Sequence, residues 1–189
     1  MNIQTAPSAP VPSVDFNHPP GEDLWVFAYG SLMWNPAFPA GARVPALLRG
    51  WHRWFCIYSH QHRGTPEKPG AVLGLDRGGA CRGIAYRVAA ADVPDVLAYL
   101  WQREMAYRVY VPRRVELETE GGRIEALAFT ADRTHAQYCG RLGPDGTAAL
   151  IRQGVGQSGR NIDYLDSLID HLRELGIRDR GLEELRARV

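Results

Sequence analysis

Runs rich in β-branched and aromatic residues, each broken by glycine or a polar turn, outnumber helical patterns in this chain and do not alternate regularly with them. They lie at Leu24 to Tyr29, Val44 to Tyr58, Gly70 to Leu75, Cys81 to Val88, Val109 to Glu118 and Arg123 to Thr130. Glu120-Gly121-Gly122 joins the last two as a hairpin would. A doubly wound parallel sheet requires strand and helix in turn, so the pattern disfavours it and predicts an α+β fold, with a mixed or antiparallel sheet that curls into a barrel. Helical spacing runs between Val88 and Val109, with Asp92 as a cap and Pro94 in the first turn. It returns at Pro144 to Gln153, at Asn161 to Leu175 and briefly at Leu182 to Arg188.

At 189 residues and 45% apolar, the chain suits one core, and residues 24–189 are expected to form a single domain. Residues 1–23 hold Pro7, Pro10, Pro12, Pro19 and Pro20 among small polar residues, which predicts a disordered Pro-rich tail. A net charge of +1 gives no field to gather phosphate backbones or anionic lipid, so neither nucleic acid nor membrane is an expected partner. No apolar run approaches the ~18 residues that span a bilayer, and no secretory leader is evident. The cysteines, Cys56, Cys81 and Cys139, are sparse and odd in number, which suits a reducing compartment. A cytoplasmic protein, monomer or homodimer, is expected.

Two places in the pattern invite chemistry. On a helical wheel from Asp92 to Met105, Val93, Val96, Leu97, Leu100 and Trp101 form one stripe, and Glu104 falls inside it, about 20° from Val93. An acid stands where an apolar residue belongs. Burial raises a carboxyl pKa and makes the group a better proton acceptor and donor near neutrality. The bland alternatives are a helix that ends near Glu104 and turns it to solvent, or a pair with Arg108. Further upstream, Tyr29-Gly30-Ser31-Leu32-Met33-Trp34 follows an apolar strand, and its backbone N–H groups form a candidate nest for a carboxylate. A plain turn is the alternative. Ser31 has no GxSxG elbow around it, so it makes a weak nucleophile candidate.

Other features carry less. His60 and His62 share a spacing of two, yet no third metal ligand has a recognisable spacing, and no metal site is expected. Arg63 and Lys68 make a basic loop that suits the far end of an acidic substrate or is merely solvated. Tyr164, on a helix, is either core or a ligand contact. The glycine-rich joint Gly154 to Gly159 lacks both the GxGxxG and the Walker spacing and reads as a helix cap leading into the next helix.

Four segments, in order, resemble the ChaC-type γ-glutamylcyclotransferases. Trp25 to Leu32 with Trp34 is similar to the family's WVFxYGSLxW, and His62-Arg63-Gly64 with Lys68-Pro69-Gly70 to its HRGxxxKPG. Tyr99-Leu100 with Arg103-Glu104 resembles YLxxRE, and Gly156 to Asn161 with Tyr164-Leu165 resembles GxSGRNxxYL. The similarity spans residues 24 to 168. It implies a small mixed β-barrel with flanking helices and cleavage of glutathione to 5-oxoproline and Cys-Gly without a cofactor. It also implies Glu104 as the catalytic acid/base, with Tyr29, Gly30, Ser31, Leu32, Met33, Trp34, Arg63 and Tyr164 as substrate-binding residues. Other γ-glutamyl amines or dipeptides, or ligand binding without catalysis, remain open on the same fold. Where many relatives carry Gly-Gly and then Tyr after the glutamate, this chain has Met105-Ala106-Tyr107-Arg108-Val109-Tyr110, so its tyrosine is displaced.

Overall fold

A computed structural model describes residues 18–105 and 108–189. Most of the expected tail, residues 1–17, and Ala106 and Tyr107 of the departing segment lie outside the described residues. Strands β1 (Leu24–Ala28), β2 (Ala42–Ser59), β3 (Gly70–Val88), β4 (Tyr110–Thr119) and β5 (Gly122–Ala131) close a barrel in the order β1-β3-β2-β4-β5. Neighbours are antiparallel except at the closure, where β1 and β5 run parallel at Val26 and Leu127, so the expected mixed barrel of an α+β fold is present.

Two of the expected strands are one. Gly70 to Leu75 and Cys81 to Val88 are joined through Arg77–Ala80, which is exposed and therefore shows no apolar alternation. The ladder with β2 continues there because Gly78 and Gly79, at φ 103° and 65°, take left-handed conformations opposite a bulge at Gly50, itself at φ 79°. The hairpin bends at that point, and its other end carries the loop 60–69 to the site.

Helix α1 (Val93–Glu104) follows β3 and buries Val93, Val96 and Leu100 in the main apolar core. Asp92 occupies the cap position but its side chain makes no capping bond. After β5 come α2 (Gly143–Gln153), a two-residue hairpin of β6 (Val155–Gly156) and β7 (Gly159–Arg160), then α3 (Asn161–Glu174) and α4 (Arg180–Arg188). The glycine-rich joint expected as a plain cap is thus a tight hairpin between helices. Asp179 caps α4 by accepting from Leu182 N. It also pairs at 3.1 Å with Nε of Arg53, a barrel residue 3% exposed. Among the described residues, no helix is long and apolar enough to cross a membrane.

Candidate active site

Glu104 closes the last turn of α1, and its side chain is 17% exposed. Neither bland alternative holds: the helix does end here, but the carboxyl turns inward, and its ion-pair partner is Arg103, at 3.3 Å. Desolvation raises its pKa, and the adjacent Arg103 guanidinium offsets part of that rise. The carboxyl stands where an inner recess of about 60 Å³ meets an outer cavity of about 450 Å³, lining both together with Ser31, Tyr110 and Tyr164.

The recess is floored by the turn after β1. Gly30 leads into a 3-10 turn at Ser31–Met33, closed by Met33 N donating to Gly30 O at 2.8 Å. Among the described residues, no backbone carbonyl accepts from the N–H groups of Gly30, Ser31 or Leu32. That is the property a nest needs. Gly30 has a negative φ of −135°, and a Cβ there would meet just Leu73 Cδ2, at 3.6 Å, so the glycine keeps the recess wall low rather than relieving strain. Arg103 ties the turn to α1: it donates to Ser31 Oγ at 2.9 Å, to Asn35 O at 3.1 Å and to Tyr99 Oη at 2.6 Å. From beneath, Arg53 donates to Tyr29 O at 2.9 Å.

One buried phenol, Tyr29, and two half-buried ones, Tyr110 and Tyr164, surround Glu104. Tyr29 donates its hydroxyl proton to Phe129 O at 2.9 Å, and Tyr110 donates to Leu73 O at 2.7 Å. Spending the proton on a carbonyl leaves each phenol oxygen with lone pairs to offer a ligand. Burial first, and the carboxylate of Glu104 among the further causes, pushes Tyr164 up to about 12 and raises Tyr29 and Tyr110 well above the ordinary phenol range. These phenols stay protonated at neutral pH.

The remaining two motifs meet in one knot. A Cβ on Gly64 would lie 2.2 Å from Gly70 N, and one on Gly70 2.1 Å from Arg63 O. On Gly156 it would lie 2.4 Å from Gln61 O, and on Gly154 2.4 Å from Arg63 O. Backbone packs on backbone here, a contact glycine alone permits. Gln157 N and Ser158 N donate to Gln61 O and His62 O at 2.8 and 2.9 Å, fastening the 60–70 loop to the β6–β7 hairpin. Fully buried Asn161 completes the knot: its Oδ1 accepts from Ala71 N at 2.6 Å and its Nδ2 donates to Ala71 O at 2.8 Å. Arg63 donates to Ser158 O at 2.5 Å and Arg160 O at 3.1 Å and lies over the Tyr164 ring, 5.2 Å from its centroid.

Of the residues expected to bind substrate, Tyr29, Gly30, Ser31, Leu32, Arg63 and Tyr164 line the recess or the cavity beside Glu104. Met33 and Trp34 do not, because the 3-10 turn rotates them away. Met33 is packed inside, with its carbonyl accepting from Tyr86 Oη at 2.7 Å, and Trp34 stacks on His171 with centroids 4.2 Å apart. His60 and His62 line the outer cavity, and no trio of His, Cys, Asp or Glu is grouped for a metal among the described residues. Lys68 is exposed, and its backbone N–H donates to Thr65 Oγ1. Sequence reasoning missed Arg103, whose sole signal was its place in YLxxRE, and Tyr110, counted as displaced yet present in the wall.

The family model described as ChaC-like protein matches residues 24–189. This chain belongs to the ChaC-like family. Among ChaC-like relatives, it is 39% identical over 163 residues to the glutathione-specific γ-glutamylcyclotransferase of Escherichia coli (strain K12), covering 86% of this chain and 71% of that one. To the human glutathione-specific γ-glutamylcyclotransferase 1 it is 32% identical over 182 residues, covering 93% and 82%. The crystal structure of the glutathione-specific γ-glutamyl cyclotransferase from yeast superimposes with a TM-score of 0.78 at 25% identity, covering 89% of this chain and 98% of that one. The ChaC-like barrel and its flanking helices are therefore shared with a solved enzyme.

Proposed function

We propose that this chain is a γ-glutamylcyclotransferase that cleaves glutathione into 5-oxoproline and Cys-Gly. The observation that carries the reading is Glu104: a largely buried carboxyl, raised in pKa by desolvation, set between the turn after β1 and three tyrosines. The names of its relatives point the same way.

In this mechanism the substrate's α-ammonium gives a proton to Glu104, and the freed amine attacks its own γ-carbonyl carbon. A C–N bond closes a five-membered ring, the old γ-amide C–N bond breaks as Glu104 returns the proton to the departing nitrogen, and the ring nitrogen passes its second proton by the same carboxylate to that amine, leaving a lactam N–H and an ammonium. No water is consumed and no covalent enzyme adduct forms. Because the reaction is intramolecular, the protein's main task is to hold the γ-glutamyl arm bent, an orientation effect worth ~7–11 kcal/mol in favourable cases. The N–H groups of Gly30, Ser31 and Leu32 serve the α-carboxylate or the developing oxyanion, and the lone pairs of Tyr29 and Tyr110 suit the ammonium. Arg103 keeps the turn and the base in register. Every step draws on side chains, backbone amides and substrate, with no cofactor.

The test is a 5-oxoproline assay of the purified chain with glutathione, repeated with Glu104→Gln, which preserves shape and removes the base. A loss of about 10²–10⁴-fold is expected. Turnover retained in the variant rejects the role of Glu104. Calorimetric binding of glutathione with no product would favour a ligand-binding module, and an acyl adduct in the mass spectrum would favour a serine nucleophile.

A further inference from the structure

The outer cavity has a polar wall that the inner recess does not share. It is built by His60, Gln61, His62, Gln137 and Ser158, all of which can donate hydrogen bonds. Among the described residues that line this cavity, the bases are His60, His62, Arg63 and Arg103, while the one acid is Glu104 at the inner end. The same cavity is also lined by an apolar cluster of Ile57, Val72 and Val109.

The imidazole at the rim is held in place. His60 stacks on Tyr58 with centroids 6.0 Å apart and planes 18° from parallel. Gln137 Nε2 lies 3.4 Å from both Tyr58 O and His60 Nδ1. A carbonyl accepts and cannot donate, so the amide nitrogen faces it, and the same nitrogen directs its other hydrogen toward His60 Nδ1. That assigns Nδ1 as acceptor and leaves Nε2 as the N–H donor of the neutral ring. In the same wall, His62 Nδ1 lies 3.2 Å from Ser158 Oγ.

We infer that this wall is a subsite for a free C-terminal carboxylate on the leaving group, with His60 as its principal donor and the Ile57–Val72–Val109 cluster taking the small side chain that precedes it. The inference rests on the cyclotransferase reading and assigns His60 as the residue that reads the acid end of its substrate. γ-Glutamyl amines, which lack that acid, fill the recess and leave the wall unmet.

The experiment compares glutathione with its C-terminal carboxamide, measuring kcat/KM from 5-oxoproline release by the full chain. The unaltered protein is expected to prefer the acid by about tenfold, the scale of one charge-assisted hydrogen bond. His60→Ala should collapse that ratio toward unity, and His60→Glu, which sets a like charge against the carboxylate, should drive it lower still. His60 is exposed, and thermal melts of both variants check that they fold. Equal use of acid and amide by the unaltered chain, or an equal loss on both compounds in the variants, overturns the subsite. Absence of 5-oxoproline from both compounds with the unaltered protein overturns the cyclotransferase reading itself, and the subsite with it.

Discussion

Asn161→Ala is the sharpest test of how the site is held. The side chain is fully buried and serves both the N–H and the C=O of Ala71, which is itself completely covered at the start of β3. Truncation leaves two buried backbone groups without partners, each costing about 1–3 kcal/mol. The sum is about 2–6 kcal/mol, a large share of the 5–15 kcal/mol that typically separates a folded domain from its unfolded chain. For a chain of this size, at roughly 2–4 °C per kcal/mol, the melting midpoint should fall by about 4–24 °C. The backbone bond from Asn161 N to Gly154 O survives the change, so the start of α3 should loosen rather than detach. Circular dichroism melts measure the shift, and a fall of under about 2 °C would refute the reasoning. Asn161→Asp sharpens the test: it keeps the acceptor, loses the donor and buries a charge. Its melting deficit should be no smaller at pH 7 and should shrink in acid, where a protonated carboxyl can donate again.

Three further outcomes follow from the geometry. As pH falls, kcat/KM should drop along an acid limb lying above 4.5, the ordinary glutamate value, because the folded carboxyl of Glu104 titrates higher; a limb at or below 4.5 would contradict the burial argument. The stability contributed by a raised carboxyl is fully present below its unfolded pKa and is lost as pH rises through the folded one. Glu104→Gln should therefore melt higher than the unaltered chain at pH 7, with the gap closing below about pH 4.5 in paired melts. Asp179→Ala strands the buried guanidinium of Arg53, and chemical denaturation should show a loss near 3 kcal/mol, the low end for broken buried pairs since Asp179 is itself 25% exposed.

Much of this was legible from the sequence, and the gaps have physical causes. Local pattern carried the strands, the helices and Glu104, because an acid on an apolar stripe is a break in periodicity visible along one helix. The merger of two strands into β3 was hidden: Asp76-Arg77-Gly78-Gly79 has turn chemistry, and only pairing with a bulged β2 keeps it in the ladder. Trp34 looked like part of the grip because residues 29–34 are contiguous, but a 3-10 turn sends it toward His171. Arg103 and Tyr110 were out of reach because their neighbours, Ser31 and Leu73, lie 72 and 37 residues away in the chain.

The knot of Gly64, Gly70, Gly154 and Gly156 sits outside the reaction yet touches the loop that carries Arg63 and the helix that carries Tyr164. A mutational scan scored on turnover would rank these glycines beside Glu104. Scored also on how much folded protein accumulates, the two groups should part: glycine variants would fail both readouts, whereas Glu104→Gln would be abundant and inert. For this barrel, intolerance to substitution reports closeness of chains at least as often as closeness to chemistry.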